Sequence, residues 1–185
     1  MIQEAFDEHR HLHDAAAEAL IPALRKAVAL AETALAGGGK LLALGNGGSA
    51  AQSQHLAAEL VVRFVRNRRA LPAVALSTDT SALTAAGNDF GFEHVFERQV
   101  EALAREGDCV VALSTSGNSP NVLRAVDRAR EIGCSVIGLT GRDGGGLADR
   151  VDVLLAVPSE TTARIQEYHQ ICIHVLAGWL EEKLG

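Results

Sequence analysis

Five short apolar runs alternate with helical patterns along this chain, and that alternation narrows the fold more than any other feature. The runs are Lys40–Leu44 (KLLAL), Ala73–Leu76, Cys109–Leu113 (CVVAL), Ser135–Leu139 and Val151–Val157. Each is too short for a helix and mostly apolar, as suits a strand covered on both faces. Between them the pattern predicts helices over Ala50–Val65, Asp79–Ala86, Phe92–Arg105 and Pro120–Ile132. Long Ala-, Leu- and Glu-rich segments at 1–36 and Thr161–Leu184 predict one helix at each end. Gly37–Gly39 closes the first of these. Strand–helix alternation implies a parallel sheet with helices on both faces, and five strands fit a flavodoxin-like doubly wound order. With 185 residues the expectation is one α/β domain over 1–185: an oligomerisation helix (1–36), a sheet core (40–157) and a closing helix (161–184).

Composition bears mainly on partners. A net charge of −6 argues against nucleic acid, and the one basic run, Arg63–Arg69, reads as a solvated helix end. The three cysteines lack CxxC spacing, so buried free thiols in a reducing, cytoplasmic setting are expected. The charged N-terminus has no apolar core of a signal peptide, and no apolar stretch reaches the ~18 residues of a membrane span. The apolar residues Leu20, Ile21, Leu24, Val28 and Leu30 in the first helix, and Ile165, Ile171, Ile173, Val175, Leu176 and Trp179 in the last, exceed what a small sheet covers. A homo-oligomer is therefore expected.

In a doubly wound sheet, ligands bind beyond the carboxyl ends of the strands at the switch point. Two turns there carry chemistry. Gly45-Asn46-Gly47-Gly48-Ser49 follows the first strand; its glycines let backbone N–H groups approach an anion at a helix start. It fits neither the dinucleotide fingerprint nor a Walker A loop, and a plain tight turn is the alternative. Ser114-Thr115-Ser116-Gly117-Asn118-Ser119 follows the third strand and offers four hydroxyls for phosphate oxygens, more than an N-cap needs. His55 and Glu59 lie four apart on one helical face, a spacing that suits a base, a metal-ligand pair or a surface ion pair. Asn88-Asp89 reads as an Asx turn or a sugar contact. In the cluster His9, His11, His13, only His9 and His13 share a face.

The stretches GNGGSAAQSQHLAAEL, ALTAAGNDFGFEHVF, ALSTSGNSPNVLRAV and RIQEYHQICIH resemble phosphoheptose isomerases, members of the sugar isomerase (SIS) domain superfamily. The resemblance implies isomerisation of sedoheptulose 7-phosphate to D-glycero-D-manno-heptose 7-phosphate, an early step towards nucleotide-activated heptose and lipopolysaccharide. It implies a phosphate loop of Ser114, Thr115, Ser116 and Ser119, and a sugar-lining loop of Asn46, Gly47, Gly48 and Ser49. Asn88, Asp89 and Gln166 become substrate contacts, Glu59 the general base, and His174 its acid/base partner. His55, Glu59, Gln166 and His174 match zinc ligands, one ion per subunit, in a homotetramer with sites near subunit interfaces. Gln166 and His174 are eight residues apart, about 12 Å along a helix, so they share an ion only by leaning inward or across subunits. The chain departs from the pattern at Ala163, where some members carry an acidic residue. Two alternatives stand beside this one: a non-catalytic SIS protein that binds a replication initiator, and an isomerase of another sugar phosphate. The presence of Glu59 and His174 argues against the first.

Overall fold

The computed structural model describes residues 1–185. Five parallel strands, β1 (Leu41–Gly45), β2 (Ala73–Ala75), β3 (Cys109–Leu113), β4 (Ser135–Gly141) and β5 (Val153–Val157), pair in the order β2-β1-β3-β4-β5. This is the flavodoxin-like order the alternation predicts, with the switch point between β1 and β3. The central strands β1 and β3 are buried at every position, which explains their unbroken apolar runs.

Six helices cover the sheet: α1 (Ile2–Ala36), α2 (Gly48–Val61), α3 (Thr80–Asp89), α4 (Glu97–Leu103), α5 (Pro120–Ile132) and α6 (Thr162–Leu184). Alternate side chains of each strand feed two cores. Leu41, Ala43, Val111 and Leu113 pack under α1, α2 and α6, with Leu20, Leu56 and Ile173. Leu42, Leu44, Val110 and Ala112 pack under α3, α4 and α5, with Ala86, Val100 and Val126. Pro120 opens α5 at its first turn and Gly133 ends it in the left-handed conformation. All three cysteines are buried and unpaired, as expected, and burial raises the Cys109 and Cys172 thiols to about 12.

Three expectations need correction. The predicted helix over 92–105 is broken: a 3-10 turn spans Phe92–His94 and α4 starts at Glu97, which puts the consecutive residues Val95 and Phe96 both into the core. α3 runs on to Asp89, so Asn88-Asp89 ends a helix instead of forming a separate turn. The surplus apolar surface of the end helices is smaller than their sequences suggest, because α1 and α6 lie side by side on the sheet and bury Leu20, Val28, Ile165, Ile173 and Leu176 together. Ile21, Val175 and Trp179 remain exposed along that helix pair. No helix is long and apolar enough to cross a membrane.

Candidate active site

Most residues singled out from the sequence fall into two groups, one at the loops after β1 and β3 and one along α2. The first is at the carboxyl ends of β1 and β3. The Ser114 hydroxyl lies 3.0 Å from that of Ser119 and 3.5 Å from that of Ser116. Ser119 precedes α5 yet makes no capping bond, so its hydroxyl turns inward to Ser114. The hydroxyls and the start of α5 are groups that suit an anion, and Arg124 lines the adjoining cleft. Gly117 holds this loop at φ +68°, where a Cβ would overlap the carbonyl of Gly144. Thr115 fixes the neighbouring strand, its carbonyl accepting the Gly141 N–H at 3.0 Å.

The β1 loop faces this one. Asn46 donates to the Asn121 amide oxygen at 2.9 Å, and Asn121 donates back to the Asn46 oxygen at 2.8 Å. Asn121 joins the site across the switch point, and its place one residue past Pro120 gave no hint of that. Gly47 and Gly48 are exposed, whereas Ser49 is turned into the fold. Gly48 is closely covered by the Gln166 side-chain amide, which a Cβ there would meet at 2.6 Å. Asn46, Ser119 and Asn121 line a cleft of about 460 Å³ shared with Phe92, Glu93 and Arg124. Asn88 and Asp89 are exposed at the end of α3 and bonded to each other at 2.8 Å.

The second group lies along the seam where α2 packs on α6. Gln52 donates to the Gln166 carbonyl at 2.7 Å and lies 3.4 Å from the Gln170 amide oxygen. Gln170 reaches Nε2 of His174 at 2.9 Å. His174 Nε2 is 3.1 Å from His55 Nε2, which is 3.0 Å from the Glu59 carboxylate. Thus His55, Glu59 and His174 converge, with their ligand atoms within 4.8 Å of one another. Two imidazole nitrogens and a carboxylate oxygen are the donor types zinc takes, so the cluster fits that ion.

Gln166 lies further along the same seam. Its amide rests on Gly48 at the start of α2, and His55, the nearest member of the cluster on that helix, is seven residues further on, about 10 Å at 1.5 Å per residue. His9 and His13 turn to Tyr168: His9 stacks on its ring at 5.1 Å and meets Glu167 at 2.9 Å. His169 is fully buried beneath, its Nε2 2.9 Å from the Thr140 carbonyl, and burial lowers its pKa to about 4 despite that bond.

The α/β fold with a serine-rich loop at the switch point defines a SIS-domain protein, and a family model described as a SIS domain matches residues 6–141. A phosphoheptose isomerase from Geotalea daltonii is 53% identical over 183 residues, covering 99% of this chain and 95% of the relative. The solved phosphoheptose isomerase GmhA from Neisseria gonorrhoeae is similar with a TM-score of 0.93 at 48% identity, covering 98% of this chain and 97% of that one. The phosphoheptose isomerase from Francisella tularensis gives a TM-score of 0.95 at 38% identity, with coverage of 98% and 97%. The chain belongs to the phosphoheptose isomerase family, whose members are aldose–ketose isomerases. These relatives favour the isomerase over the initiator-binding alternative.

Proposed function

We propose that this chain converts sedoheptulose 7-phosphate into D-glycero-D-manno-heptose 7-phosphate in the cytoplasm, as a homotetramer. The observation that carries the mechanism is the meeting of His55, Glu59 and His174 between α2 and α6. The reaction moves a hydrogen between neighbouring carbons. The Glu59 carboxylate takes the proton from C1, leaving an enediolate over C1 and C2, and returns a proton to C2. His174, facing the same point, passes the proton between the two oxygens. Ser114, Thr115, Ser116 and Ser119 grip the phosphate, while Asn46, Gly47, Gly48, Ser49, Asn88, Asp89 and Gln166 order the sugar hydroxyls. Zinc bound at His55, Glu59 and His174 would polarise the substrate oxygens as a Lewis acid.

The length of α2 bears on assembly. The sugar loop opens α2 at Gly48, whereas Glu59 lies in the last turn of that helix. In the homotetramer the sites lie near subunit interfaces, and Gln166 completes the metal set of His55, Glu59 and His174. The exposed Ile21, Val175 and Trp179 suit such helix-to-helix contact.

The test is a coupled assay of the purified protein with sedoheptulose 7-phosphate, beside Glu59→Gln. Turnover that vanishes in the variant is the expected result. A folded wild-type oligomer that does not turn over this substrate with zinc present would overturn the assignment.

A further inference from the structure

The carboxyl end of α2, which carries Glu59, is gripped by a buried ion pair from the basic run placed at a solvated helix end on sequence alone. The Arg68 side chain is only 2% exposed. It donates to the Glu59 carbonyl at 2.7 Å and the Leu60 carbonyl at 2.8 Å, the backbone groups that a helix end leaves open. Its Nε lies 3.4 Å from the Glu181 carboxylate, which is 3% exposed in the last turns of α6. Glu181 also gathers the turn after α2, accepting the backbone N–H groups of Phe64 at 2.9 Å, Val65 at 3.0 Å and Arg66 at 2.8 Å. Burial raises the Glu181 carboxyl, but those N–H donors and Arg68 outweigh it and hold it below the ordinary carboxylate value.

The gathered turn reaches the cluster. The Phe64 ring lies 5.6 Å from that of His174, and Gly178 leaves the space it fills: a Cβ there would come within 3.3 Å of Phe64. At the other end of the seam, Gln52 ties α2 to the Gln166 carbonyl. The cluster thus sits between two ties of the same helix pair. We infer that Glu181 and Arg68 are positioning residues that set the distance between Glu59 and His174 by locking the carboxyl ends of α2 and α6 to each other. The inference rests on the reading of Glu59 and His174 as the reacting pair.

Glu181→Gln keeps the shape and removes the charge. In the coupled assay its kcat should fall on the order of 100-fold, as for a reacting group displaced by about 1 Å. KM for sedoheptulose 7-phosphate should stay within about threefold, because the phosphate and sugar loops are untouched. A crystal structure of the variant should show the Glu59 carboxylate withdrawn from His174. Should Glu181→Gln fail to fold, Arg68→Lys carries the same expectation: it keeps the charge but gives up the fork on the two carbonyls. Unchanged kcat, a loss confined to KM or to melting temperature, or an unmoved Glu59 carboxylate would overturn the inference. Activity retained in Glu59→Gln would instead sink the base assignment, leaving the displacement of the cluster to be read from the crystal structure.

Discussion

The loops at the switch point and the seam between α2 and α6 are built by opposite means. The phosphate loop uses backbone geometry and neutral hydroxyls from contiguous residues, with Ser114, Ser116 and Ser119 within one turn of chain, and the Asn46–Asn121 amide pair ties the β1 loop to the start of α5. The seam uses charged and amide side chains from helices more than a hundred residues apart, as with His55 and His174. A short contiguous loop can hold an anion in one geometry from the moment it folds. A site assembled from two helices exists only when both are docked, so its precision belongs to the packing of the whole domain. Binding should therefore follow the loops and turnover the seam.

The sharpest way to break this division is Glu59→Gln. It should lower kcat by about a thousandfold, within the usual reach of a general base, and leave KM nearly unchanged. A large rise in KM would mean that the seam also binds. The converse is Ser119→Ala. It removes one hydroxyl bond to a charged phosphate, about 1.5–3 kcal/mol, and should raise KM by about 10- to 100-fold with kcat little altered. Smaller in its effect is Asn121→Leu, which leaves Asn46 facing an apolar group. Chemical denaturation should show a loss of about 1–3 kcal/mol, with KM rising through the loosened β1 loop.

The smallest effect concerns pH. Burial lowers His169 to about 4, so the fold holds it neutral. As pH falls from about 6.5 towards 4, the unfolded chain takes up a proton that the folded chain refuses. Stability from this group is therefore complete above that window and declines through it. Urea midpoints measured from pH 7 to 4.5 should fall in the wild type and flatten in His169→Gln. Equal slopes would mean that His169 is not the group responsible.

The sequence was most informative where structure is local. The alternation of five apolar runs with helices fits the doubly wound parallel sheet observed, and the STSGNS and GNGGS turns fall at the switch point because a parallel sheet puts every such turn at one edge. His55 and Glu59 are legible as a pair through the helical period alone. Their junction with His174 is not, since nothing in the period says which face of α6 meets α2. Arg68 and Glu181 are the clearest miss. A charge-rich stretch normally faces water, and most of this one does; only the Arg68 side chain is buried, where Glu181 of α6 meets it. Asn121 was hidden for the same reason, its partner Asn46 being 75 residues upstream.

The Asn46–Asn121 pair has a consequence beyond holding two loops together. Each amide gives one N–H and takes one lone pair from the other. If either turned over alone, nitrogen would face nitrogen and oxygen would face oxygen, and both bonds would be lost. The two amides can therefore reverse only in concert. Across the switch point the pair works as a keyed joint, in which the orientation of one loop is legible to the other without any charge or proton changing hands.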